Sequence, residues 1–202
     1  MEAIGILKIK KLKVIIMNFF GILKGLISDT EVRAARIDSS THSLQTIMYN
    51  HHEIHNGSHY FIANYDDNFD NDAPIEFVVT TPDTTQQIHM TFSISAYKQL
   101  NLDVYENTAG VTGGTNVNPL NNNRNSSNTS NLTVVSMPTA ITTDGDFLFG
   151  EAVATDKTGG FFDRNNEIIL KRNTSYLFRF TTIDNDNIIS YKAEWYEHTP
   201  KN

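Results

Sequence analysis

Four of the chain's seven histidines fall in one nine-residue stretch, HHEIHNGSH, residues 51–59. Imidazoles beside a carboxylate are raw material for a metal site or an acid–base pair. The order is His51-His52-Glu53-Ile54-His55, not the His-Glu-x-x-His of helical zinc sites. The flanks suggest a different role. Asn56-Gly57 lies between two runs bearing apolar and aromatic residues, a strong signal for a β-hairpin closed by a type I′ turn. Asn56 and Gly57 are then turn residues, with His55 facing Ser58, Glu53 facing Tyr60 and His51 facing Ile62. The pleat places His51, Glu53 and His55 on one face, and His52 and His59 on the other. Along a strand His51 and His55 stand about 13 Å apart, too far to share an ion without a bend. The expectation is packed or hydrogen-bonded histidines and no bound metal.

The other chemistry-bearing residues are weaker candidates. DDNFDND (66–72) begins like a calcium loop, but the sixth and twelfth positions are Asn71 and Phe77, where Gly and Glu are required. A solvated acidic loop is expected instead. There is no Gly-x-Ser-x-Gly elbow, phosphate loop or dinucleotide fingerprint. The spacing of Glu53, Glu76, Glu167 and Glu194 supports no glycosidase pair. Cysteine is absent, which excludes disulfides, thiolate sites and a cysteine nucleophile. Trp195 and the eight tyrosines suit packing in a core or interface better than a sugar platform. Arg124 is an isolated cation in NNNRNSSNTSN, with donors suited to cross-linking that segment or engaging a neighbouring chain. No catalytic residue, metal ligand or cofactor is expected. The candidate interface residues are His51, His52, Glu53, His55, Arg124 and Trp195.

The elements that must carry these residues read as strands. PIEFVVTT (74–81), QIHMTFSISA (87–96), LNLDVYE (100–106), NLTVVS (131–136), DFLFGEAVA (146–154), NEIILK (166–171), SYLFRFTTI (175–183) and IISYKAEWYE (188–197) are rich in Val, Ile, Thr, Phe and Tyr. Asn, Asp and Gly clusters separate them. After residue 30 no apolar pattern recurs at helical spacing. Charged residues make up only 19% of the chain, and Asn, Thr and Ser take their place, as suits a β-protein with long loops. The expected fold is all-β: an antiparallel β-sandwich, jelly-roll-like, with a short non-β N-terminal arm. The segment 110–131 is expected to be a long polar loop that needs a partner to order it.

Charge divides the chain. Residues 1–36 carry seven basic residues against Glu2, Asp29 and Glu31, a net of +4, so −11 of the overall −7 lies in the remainder. An acidic body does not attract phosphate, and no nucleic-acid partner is expected. Near the N-terminus, Lys8–Lys13 precede apolar Val14–Leu23 as in a secretory signal, but Lys24 follows and no small-x-small cleavage site is evident. No uninterrupted apolar run reaches the roughly 18 residues of a membrane span. An amphipathic helix, a poorly ordered arm and a true start at Met17 are the remaining readings. Residues 1–35 are therefore read as an arm and 36–202 as the β-sandwich domain, with no membrane partner.

IDSSTHSLQTIMYNHHEIHNGSHYF, NNNRNSSNTS, NEIILKRNTSYLFRF and EWYEH together resemble a group of tailed-bacteriophage head decoration (cement) and capsid-associated β-sandwich proteins. The resemblance spans roughly residues 36–198. It implies a non-enzymatic virion protein on the capsid surface that self-associates, often as a trimer about a three-fold axis, and reinforces the major capsid protein. It implies no cofactor. The competing expectation is a glycan-binding module on a phage head or fibre that uses aromatics and the Asn-rich segment. A metal-dependent enzyme centred on His51, Glu53 and His55 is the third.

Overall fold

A computed structural model describes residues 24–28, 31–34, 40, 47–153 and 160–199. The chain divides into two compact units, 1–48 and 49–202. Within the first, β1 (Lys24–Ser28) and β2 (Glu31–Ala34) pair antiparallel. The signal-like segment 1–23 and the expected boundary at 35/36 lie outside the described residues.

The second unit is an antiparallel β-sandwich, as the period-two reading expects. Helix α1 (Tyr49–Asn56) leads into β3 (His59–Phe69), β4 (Ile75–Thr80), β5 (Gln87–Ala96) and β6 (Leu100–Glu106). Then come β7 (Thr115–Val117), β8 (Leu120–Asn121), β9 (Thr133–Ser136) and β10 (Asp146–Val153). The chain ends on β11 (Gly160–Leu170), β12 (Ser175–Thr182) and β13 (Asn187–His198). One sheet has the order β10-β6-β12-β4-β9-β7 and the other β11-β5-β13-β3-β8. The steps β3 to β4, β5 to β6, β10 to β11 and β12 to β13 each cross between the sheets. With the short strands β7, β8 and β9 set aside, that order is the jelly roll: two four-stranded antiparallel sheets built from interleaved Greek keys.

Alternation along the strands builds the core. In β5 every second residue, Ile88, Met90, Phe92, Ile94 and Ala96, is buried. They meet Leu100, Leu102 and Val104 of β6 and Tyr176, Phe178 and Phe180 of β12 across the sandwich. Phe178 stacks on Phe77 of β4 at 4.6 Å and meets the edge of Phe92 at 6.0 Å. Burying each such ring stabilises by about 1.5–3 kcal/mol, which is what makes this register outweigh one shifted by a residue.

Two expectations are corrected. Residues 51–59 are not a hairpin: Tyr49–Asn56 is helical and only the returning segment is a strand. A type I′ turn needs positive φ at both central residues, but of Asn56 and Gly57 only Gly57 has it, at 72°. Gly57 instead ends the helix. Its N–H donates to the Ile54 carbonyl and the Ser58 N–H to the Glu53 carbonyl, both at 3.0 Å, the paired bonds of a Schellman C-cap. The strand edge that His51–His55 would have occupied is taken by β8, where Asn121 pairs with Tyr60 and Leu120 with Phe61.

The segment 110–131 is likewise not structureless. It carries β7 and β8, which with β9 extend both sheets on one side of the sandwich, beyond β4 and β3. Its strands are only three and two residues long, too short to show a period-two pattern. Side-chain amides hold the rest. Asn121 and Asn128 donate to the Gly57 carbonyl at 2.9 and 3.2 Å, and Tyr60 Oη does so at 3.2 Å. Asn123 Nδ2 donates to the His55 carbonyl at 3.3 Å. The helix C-terminus therefore finds donor partners for its carbonyls in a segment remote in sequence.

Candidate functional site

The outer face of the five-stranded sheet carries a cluster of imidazole and phenol rings beside α1. Tyr196 of β13 lies between His59 of β3 and His89 of β5 in the sheet register. Its ring stacks on His89 at 4.6 Å and 14°. His198, two residues further along β13, projects from the same face, and its ring lies 4.8 Å from His89. Tyr49 of α1 meets Tyr196 and His198 edge-on at 5.6 and 5.4 Å. This cover explains why β13 breaks alternation at its end: Trp195 and Glu197 are buried inward, and Tyr196 is buried although it points outward.

Glu167 reaches the cluster through a β-bulge. The β11–β5 register shifts between Arg164 and Ile168, and Glu167 falls inside that shift. Its Oε2 lies 3.0 Å from His89 Nδ1 and accepts from Tyr196 Oη at 2.7 Å. Burial and then this carboxylate push the Tyr196 phenol well above its usual range. Burial outweighs the attraction of Glu194 and lowers the His59 pKa. Asn122 Nδ2 lies 2.6 Å from His59 Nδ1, a contact that requires that nitrogen to accept.

Glu53 is the buried residue of α1. Burial pushes its carboxyl up, but hydrogen bonds from Ser58, His52 and Tyr49 outweigh that and hold it below the ordinary value. It is therefore an anchor for the helix rather than a surface group. His51 and His55 are exposed on the opposite side, one helical turn apart, with Nε2 atoms 2.9 Å from each other. The strand separation of about 13 Å is thus replaced by contact. His52 is half-buried, 3.3 Å from Glu53 Oε1.

The remaining expected interface residues divide. Trp195 is 1% exposed and faces the core, donating from Nε1 to Ser130 Oγ and Glu197 Oε1, both at 3.2 Å. It is not a surface residue. Arg124 is exposed, and its Nη1 reaches the Asn121 carbonyl of its own segment at 3.4 Å. The acidic loop is tied to the turn before β13: the Asp186 N–H donates to Asp70 Oδ1 and the Asn71 N–H to Asn185 Oδ1.

Among the described residues, no three His, Asp or Glu side chains converge as a ligand set. A hollow of about 550 Å³ lies between Asn116–Pro119 and Thr129–Val134, lined without an imidazole, carboxylate or aromatic ring. His89, His198, Tyr196 and Glu167 were not expected from sequence. Outward parity on β5 and β13 marks their face, but only the pairing of those strands brings them together.

No family model matches the chain, and no curated protein matches it. Among solved structures, a chain of the Israel acute Paralysis Virus pentamer is similar at 13% identity with a TM-score of 0.18. The match covers 90% of this chain and 57% of that one, so this chain spans little more than half its length. So low a score assigns neither topology nor role. Among the described residues no helix is long and apolar enough to cross a membrane.

Proposed function

We propose that this chain is a non-enzymatic structural subunit of a phage virion, one that decorates and stabilises the capsid surface. The observation that carries the reading is the jelly-roll strand order, an architecture used by capsid subunits and lectins. Fold alone does not give function. The sequence resemblance to head decoration proteins selects the capsid role, and the acidic body suits an outer surface away from packaged nucleic acid. Self-association, as a trimer, and contact with the major capsid protein follow from that reading. Mass spectrometry of purified particles, with add-back of the protein to heads lacking it, tests it. The expected result is stoichiometric binding that raises the heat stability of the heads. Absence from particles together with no binding to heads overturns the proposal.

A glycan-binding module is the second reading. The exposed rings of Tyr65, on β3, and Tyr97, just past the end of β5, favour it, since they are 62% and 52% exposed. A glycan array decides it: hits removed by Tyr65→Ala or Tyr97→Ala support it, and a blank array eliminates it.

A further inference from the structure

His89 and His198 bring two Nε2 atoms to 2.9 Å from each other. Each ring is also held at its other nitrogen. His89 Nδ1 lies 3.0 Å from Glu167 Oε2, and His198 Nδ1 lies 3.2 Å from the Thr199 carbonyl oxygen. A carboxylate and a carbonyl only accept, so each Nδ1 carries the ring's proton. In two neutral rings, both Nε2 atoms then face each other as bare lone pairs. The row from Glu167 through His89 and His198 to Thr199 has three contacts, each needing a positive centre. The neutral rings supply protons for the outer two. The gap between the Nε2 atoms lacks one.

We propose that this gap binds a divalent transition metal of the zinc class, with His89 and His198 as the two protein ligands. Imidazole is a preferred ligand for such ions. A ligating histidine characteristically donates its other N–H to a carboxylate or a backbone carbonyl, which fixes the ring and raises its basicity. This pair uses one of each. Glu167 is held in turn by Tyr196 Oη, and the Tyr196 ring stacked on His89 sets the plane of that imidazole. Zinc–nitrogen bonds of about 2.0–2.1 Å at a tetrahedral angle separate the two nitrogens by roughly 3.3 Å, so the rings must open by about 0.4 Å. His198 ends β13, where the sheet constrains it least. No third protein ligand converges among the described residues, so water completes the coordination. The site stands apart from the virion reading and survives its failure.

The full chain carrying His51→Gln and His55→Gln, which removes the exposed pair on α1, is titrated with zinc by calorimetry in metal-free buffer. One zinc per chain is expected, with loss of binding in His89→Gln and in His198→Gln. Glu167→Gln weakens binding by about 10–100-fold, because it touches a ligand and not the metal. Zinc is also expected to shift the ring NMR signals of His89 and His198 in that background, which needs no substitution at the site. Circular dichroism and melting curves check that the variants fold. Absence of zinc uptake, uptake that survives both ligand substitutions, or ring signals that respond to pH but not to zinc overturns the site.

Discussion

The interior between the two sheets and the polar cap around α1 are held by different physics. Between the sheets, Phe77, Phe92, Phe178 and Phe180 pack with Met90, Leu102 and Val104, and the attraction is non-directional. At the cap, order comes from donors and acceptors matched one by one. The Gly57 carbonyl takes bonds from Asn121, Asn128 and Tyr60. The buried Glu197 carboxylate accepts from Ser130 Oγ, Trp195 Nε1, and the backbone and side-chain nitrogens of Asn131. The core tolerates changes of apolar residue at constant volume. The cap tolerates few changes of any kind, because a lost partner leaves a buried polar group unpaired.

The largest expected effect breaks the core side of that contrast. Phe178→Ala should cost about 3–5 kcal/mol in urea unfolding, since it removes a buried ring that stacks on Phe77 and meets Phe92 of the other sheet, and leaves a cavity. Phe178→Leu should recover much of that loss. Glu197→Ala should cost about 3 kcal/mol, near the upper end for stranding buried donors. Glu197→Gln should not fully rescue it, because an amide offers a single acceptor oxygen to donors now shared between two. An equal rescue in both regions would erase the contrast.

Gly57→Val should cost roughly 2 kcal/mol, by strain at positive φ together with a collision. A Cβ there would lie 2.3 Å from Ser126 Oγ. Shortening Ser126 to Gly should relieve the collision but not the backbone strain, so a double-mutant cycle separates the two.

Acid should loosen the cap before the core. His59 has a folded-state pKa below its ordinary 6.5, so the unfolded chain binds the proton first. Its stabilisation is complete above that value and is lost as pH falls from it toward the folded pKa. Glu53, depressed below its ordinary 4.5, adds a second loss that begins near that value and runs to lower pH. Melting temperature against pH, with His59→Gln and Glu53→Gln as controls, should show two steps, of which each control removes one. The smallest effect is expected at His51→Ala, whose exposed ring, among the described residues, meets the ring of His55. Its melting temperature should match the parent.

Legibility in the sequence follows the same division. Nearly every strand with a period-two apolar pattern is present, because alternation is both the signal and the cause of burial. β5 matches its expected span of 87–96 residue for residue. The helix was illegible for the converse reason. YNHHEIHN has no apolar stripe, and its buried residue is a glutamate. Asn-Gly is a turn signal with two meanings, a type I′ hairpin or a helix C-cap, and local sequence does not choose between them. The choice was made by Asn121, Asn123 and Asn128, more than sixty residues away, which bind the helix end. Trp195 illustrates the same limit: its parity placed it on one face, but only the neighbouring strands made that face the core.

Legible in the local pattern, therefore, are the β-sandwich and the two alternating faces of its long strands, since a period-two alternation needs no knowledge of the partner strand. Which strands pair, and hence that His89, His198, Tyr196 and Glu167 share one patch, was decided only in the tertiary structure. Those residues come from three strands, β5, β11 and β13, and their meeting depends on the jelly-roll order and one β-bulge. Both are products of long-range packing, which leaves no local mark on the residues that it brings together.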